Sequence, residues 1–115
     1  MQKNKIYIFI LLVALGISSC SEYQKALNKG TSDEQYLMAV KMYDAQKYTK
    51  AIQLFEKITP SFKGKPQMER IQYMVSQAHF NTKQYSLAAY YFDKFVKSYP
   101  KSSKAEEAAY LSAYS

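Results

Sequence analysis

One cysteine and one histidine limit the chemistry open to this 115-residue chain. A His/Cys zinc site would lack ligands. A zinc ribbon, a thiol redox pair and an internal disulfide framework are excluded by the same count. The sequence contains no Ser/His/Asp set, no glycine-rich phosphate loop and no helical H-E-x-x-H. No catalytic residue, metal or cofactor is therefore expected. Three residues still stand out by position. Cys20 follows Lys3, Lys5, an apolar run from Ile6 to Leu15, and then Gly16-Ile17-Ser18-Ser19. Arg70 is the only arginine, suited to bidentate recognition of a peptide carboxylate and equally to an ordinary surface salt bridge. His79 lies on an apolar face, where a satisfied core histidine is expected rather than a ligand or base.

The positive flank, short apolar core and small residues match a secretory signal sequence. Ile6 to Ile17 is a dozen residues, short of the roughly 20 that cross a bilayer as a helix. Ile17-Ser18-Ser19-Cys20 resembles the bacterial lipobox, with Ile in place of the usual Leu and Ser19 in place of Gly or Ala. The plainer alternative is an ordinary signal peptide with a nearby cysteine. The resemblance implies that residues 1–19 are a lipoprotein signal peptide and that Cys20 is lipidated. Each buried methylene contributes about 0.8 kcal/mol, so several acyl chains on one cysteine make a lasting anchor. Loss of Lys3 and Lys5 lowers the formal charge of +7 by two. Ser21 rather than Asp after the cysteine favours the outer membrane, by resemblance to enterobacterial sorting.

Behind the leader a repeat organises the chain. At a spacing of 37 residues Tyr36, Tyr73 and Tyr110 coincide, as do Tyr43 with Phe80, Tyr48 with Tyr85, Ala51 with Ala88 and Phe55 with Phe92. Such a period marks stacked units, none of which buries its own face alone. Within a unit, Tyr36, Ala39, Val40 and Tyr43 fall at helical spacing, and so do Tyr48, Ala51, Ile52, Phe55 and Ile58. Helices are predicted over 33–46, 49–58, 67–82, 86–99 and 104–115. Ser32-x-x-Gln35 and Ser103-x-x-Glu106 read as capping boxes, and Pro60 and Pro100 as helix stops. Twelve tyrosines and six phenylalanines supply a core, while three glycines and three prolines are few for an all-β domain. The expected fold is all-α, an α-solenoid of about two and a half helix pairs.

The unit resembles a tetratricopeptide repeat: Ala39 and Ser76 fill its small position, and Tyr48-x-x-Ala51-x-x-x-Phe55 and Tyr85-x-x-Ala88-x-x-x-Phe92 fill the rest. The resemblance divides the chain into a signal peptide (1–19), lipidated cysteine and linker (20–32), repeat one (33–66), repeat two (67–103) and the first helix of an incomplete third repeat (104–115). Such repeats line a concave groove with their first helices. The matching positions are Asp33, Tyr36, Val40, Tyr43 and Asp44; then Arg70, Tyr73, Gln77, Phe80 and Asn81; then Glu107, Tyr110 and Tyr114. Tyrosines there suit an extended peptide, though they also suit plain helix packing.

Two strings narrow the family. The run from Phe95 to Ala108, F-V-K-S-Y-P-K-S-S-K-A-E-E-A, is similar to the F-x-x-x-Y-P-x-S-x-x-A-x-x-A of the BamD family of outer-membrane β-barrel assembly lipoproteins. Cys20-Ser21-Glu22-Tyr23-Gln24-Lys25-Ala26-Leu27 resembles the mature start of such proteins from Bacteroidetes. The resemblance implies a non-enzymatic scaffold, lipid-anchored at the periplasmic face of the outer membrane. Its implied partners are a BamA-type barrel assembly protein and unfolded outer-membrane client proteins. The rival readings are another tetratricopeptide lipoprotein of cell-wall or polysaccharide work, or the front of a longer envelope enzyme. Lysines dispersed among acids argue against nucleic acid as a partner.

Overall fold

The computed structural model describes the backbone of residues 2–115 and the side chains of residues 3–10 and 22–115. The elements are α1 (Gln2–Lys29), α2 (Ser32–Asp44), α3 (Tyr48–Phe62), α4 (Gln67–Asn81), α5 (Tyr85–Ser98) and α6 (Ala105–Tyr114). Consecutive helices from α2 onward pack on one another as a stack. The architecture is an all-α, tetratricopeptide-like helical repeat.

Small residues set the close approaches. Ala39, Ala51, Ala78, Ala88 and Ala108 are fully buried, and large side chains fill the space around them. Leu54, Phe55, Ile58 and Phe62 of α3 meet Ile71, Met74 and Val75 of α4 in one cluster; Ala88, Phe92 and Phe95 of α5 meet Ala108 of α6 in another. Full burial of each such large side chain stabilises by about 1.5–3 kcal/mol.

The repeat extends to the backbone of its turns. Gln46 and Lys83, 37 residues apart, both adopt left-handed conformations, with φ of 61° and 64°. The next amides close the helix ends: Lys47 N–H donates to the Met42 carbonyl at 2.8 Å, and Gln84 N–H to that of His79 at 2.9 Å. This 6→1 bond is the Schellman closure, which satisfies a carbonyl the helix leaves orphaned.

Several local expectations shift. The predicted capping boxes do not form. Thr31, one residue earlier than Ser32, caps α2 by accepting from Glu34 N–H, and Gln35 instead donates to the carbonyls of Ala26 and Leu27. At α6 the flanking Lys104 makes no side-chain cap, while Ser102 Oγ accepts from Lys104 N–H at 3.1 Å. Helix α3 passes through Pro60 and ends at Phe62, because the buried Phe62 ring anchors one further turn. Gly64, at φ +79°, then reverses the chain.

The larger change lies before the first repeat. The segment read as a linker is helical to Lys29. Tyr23 is 3% exposed, and its hydroxyl donates to Gln53 Oε1. Glu22 and Lys41 pair at 3.0 Å, Lys57 Nζ donates to the Leu27 carbonyl, and Ala26 is buried. Gly30 makes the tight exit possible, since a Cβ there would lie 2.6 Å from the Ala26 carbonyl oxygen. The side chain of Cys20 lies outside the described residues. No helix, among those described, is long and apolar enough to cross a membrane.

Candidate peptide-binding groove

Helices α2, α4 and α6 supply the first members of the helix pairs, and a cavity of about 440 Å³ opens where α2 and α4 approach the loop before α6. Tyr43 and Asp44 of α2, Glu69, Arg70 and Tyr73 of α4, Phe95 of α5 and Lys104 line it. Tyr73 is central. Its ring meets Phe95 edge-on at 5.5 Å and Phe92 at 6.2 Å, and Lys104 Nζ lies 5.5 Å from its centroid. Gln77 donates to the Tyr73 hydroxyl at 2.8 Å. Burial pushes that hydroxyl up to about 12, against the pull of the Gln77 bond and helped by the Glu107 carboxylate nearby. Tyr43 is also raised, first by burial and then by Tyr48, Asp44 and Glu107. Both phenols therefore stay neutral, and each keeps a proton to donate.

Arg70 is exposed and makes no salt bridge among the described residues. Its Nη1 donates to the Tyr36 hydroxyl at 3.5 Å, a long contact that leaves most of its donors unused. Tyr36 in turn rests its ring on Phe62, 5.5 Å away. Cation, phenols and apolar floor thus share one trough, with Asp44 and Glu69 at its margin.

The expected groove residues separate into two groups. Tyr43, Arg70 and Tyr73 line the cavity, Tyr36 joins it through Arg70, and Gln77 orients Tyr73. Phe80 points toward the other end of the stack, against Tyr85 and Tyr114, and Val40 packs on the α2–α3 core. Tyr110 is 66% exposed and stacks only on Tyr114 among the described aromatics. The three tyrosines at the 37-residue period therefore occupy three different environments. Lys104, Glu69 and Phe95 complete the cavity and were not foreseen in the groove. Lys104 has no counterpart at the repeat spacing, where Gln67 stands, so the period carried no signal for it.

His79 is buried, as expected, but it is not satisfied. Neither ring nitrogen has a hydrogen-bond partner among the described residues, and the ring stacks on Tyr91 at 5.0 Å, nearly parallel. Burial lowers its pKa, with Glu56 opposing. A hidden, neutral imidazole packs as an aromatic slab. No cluster of His, Cys, Asp and Glu suited to a metal occurs among the described residues.

Stacked helix pairs with an aromatic, partly charged trough define a tetratricopeptide-like scaffold. The model of the YfiO family, described as outer membrane lipoprotein, matches residues 28–115. The chain belongs to that family, which associates it with the outer membrane of the cell envelope. No curated protein matches it.

Proposed function

We propose that the chain is a lipid-anchored, non-enzymatic scaffold subunit of the outer-membrane β-barrel assembly machinery, held by an acylated Cys20 at the periplasmic face. Its trough binds unfolded client barrel proteins, and its remaining surface serves other subunits, including a BamA-type assembly protein. Family membership and the lipobox spacing support this reading. The observation that carries it is the joint placement of Tyr43, Arg70 and Tyr73 in one open cavity. An extended segment rich in aromatics would rest its rings on Tyr73 and the Phe95 floor, while Tyr43 and Tyr73 hydroxyls meet its backbone. Arg70, with unused donors, is placed for a terminal carboxylate.

Titration of a synthetic barrel-protein tail against the wild type, Tyr73→Ala and Arg70→Ala tests this. Each substitution is expected to weaken binding by about 1–2 kcal/mol, the scale of a modest hot spot. Amidating the peptide's carboxyl terminus should reproduce the Arg70→Ala loss. Variants that remain helical yet bind like wild type would show that this trough is not the reader.

A further inference from the structure

The exposed large hydrophobic side chains of the repeats are unevenly placed. In the two complete repeats, Leu37 apart, they sit toward one edge of the stack: Tyr85, Leu87 and Tyr90 in the first turns of α5. Tyr85 packs on Phe80 in the last turn of α4, which fixes it at that end. This is the edge formed by the turns within each helix pair, where Lys47 and Lys83 stand exposed. The opposite edge, at residues 62–67 and 99–104, also carries lysines but, among the described residues, no exposed large hydrophobic one. Toward its amino terminus, α1 runs to the aromatic edge. Glu22 pairs with Lys41 in the last turn of α2, and Tyr23 lies under Lys50 near the start of α3.

Cys20 lies three residues before Tyr23, about 4.5 Å along a helix. If the lipidation proposed above holds, the acyl chains leave the module beside this edge with almost no slack. Tyrosine rings with lysines around them favour the headgroup layer, where an apolar body and a polar tip are both accommodated, and lysines are drawn to anionic lipid.

We infer that the edge carrying Lys47, Lys83, Tyr85, Leu87 and Tyr90 lies on the anionic headgroups of the bilayer, with docked α1 as a rigid mount that holds the groove at a set angle to the membrane. The inference rests on the acylation of Cys20, so the experiment separates the two. The mature lipidated protein is placed on vesicles of phosphatidylethanolamine with phosphatidylglycerol, doped with a headgroup spin label. Flotation reads the anchor, and amide relaxation reads the edge.

Broadening should be strong at residues 83–87 and weak at 63–66. Vesicles of phosphatidylcholine alone should reduce the contrast. So should Lys47→Gln with Lys83→Gln, which exchange for residues the sister repeats already carry at those places, Gln84 and Gln46. Each lysine removed should lower the ratio of edge-bound to free orientations about fivefold, the factor for ~1 kcal/mol per lysine near an anionic surface. Floating protein with equal broadening at both edges, or with contrast indifferent to lipid charge and to both lysines, overturns the inference. Wild type that does not float, or Cys20→Ala that floats equally, overturns the anchor and the inference with it.

Discussion

Replacing Tyr23 by alanine should destabilise the folded mature chain, although the residue lies outside the repeats. Its ring is buried, its hydroxyl donates to Gln53, and the Lys50 ammonium lies 5.2 Å from its centroid. A buried tyrosine removes about 150–250 Å² from water. At about 25 cal/mol per Å² that is an upper bound of about 4–6 kcal/mol. The expected loss is smaller, because the docked part of α1 can detach alone and so limits the penalty to its own docking energy. With Ala26 and the half-buried Leu27 as the other apolar contacts, a loss of about 2–3 kcal/mol is expected. Tyr23→Phe keeps the ring and gives up one hydrogen bond, so it should cost about 1 kcal/mol. Urea denaturation of both variants measures the difference, and hydrogen exchange at residues 24–29 shows whether α1 detaches. A flexible linker would give no effect in either. Tyr23→Ala within about 0.5 kcal/mol of wild type, the range of ordinary surface substitutions, would refute the docking argument.

Two other perturbations follow from the packing. Ala88→Leu, and equally Ala51→Leu, puts a branched side chain where helices touch and should cost about 1–3 kcal/mol in urea titrations; a neutral result at both would deny that these alanines set the helix approach. His79 is held below its ordinary 6.5, chiefly by burial, so the unfolded chain takes up a proton first as pH falls. Stability should be level above that value and fall as pH drops through it. Glu56 opposes the shift, with Gln84 and Tyr91 the other polar groups around the ring. His79→Met, the residue of the sister repeat at 42, should flatten this part of the profile, and an unchanged profile would place the proton elsewhere.

The repeat was legible because its period acts on many residues at once. Tyr36 with Tyr73, Ala51 with Ala88 and Phe55 with Phe92 mark a spacing that the structure keeps even in the φ angles of Gln46 and Lys83. Where a reading rested on a single residue it was weaker. Pro60 and Pro100 look alike as helix stops, yet 37 residues on from Pro60 stands Lys97, inside α5, while Pro100 corresponds to Lys63, the C-cap just after α3. Gln35 looked like the end of a capping box because its type fits one, but the neighbouring carbonyls of Ala26 and Leu27 are the stronger claim on its amide. Tyr23 was hidden for a related reason. Its burial depends on α1 returning along α2 and α3, and the nine residues of α1 after Cys20 are too few to show a period. The cavity needed Lys104 and Phe95 from different elements, which only the folded stack brings beside Tyr73.

The unusual period also has a structural use. Tetratricopeptide units commonly repeat at about 34 residues, and the additional residues here amount to nearly one helical turn. In the first repeat that turn is the end of α3, beyond Pro60, and in the second it leads to Tyr99. Phe62 and Tyr99 occupy equivalent places, 37 residues apart. Phe62 packs against Tyr36, and Tyr99 lies 5.4 Å from Phe95, which in turn floors Tyr73. Without that turn Tyr36 would lose its apolar backing, and Phe95, the floor under Tyr73, would lose its neighbour Tyr99. The added turn therefore belongs to the groove as much as to the core. In the first repeat it sets a ring against Tyr36 before any ligand arrives, so less side-chain freedom is lost there on binding.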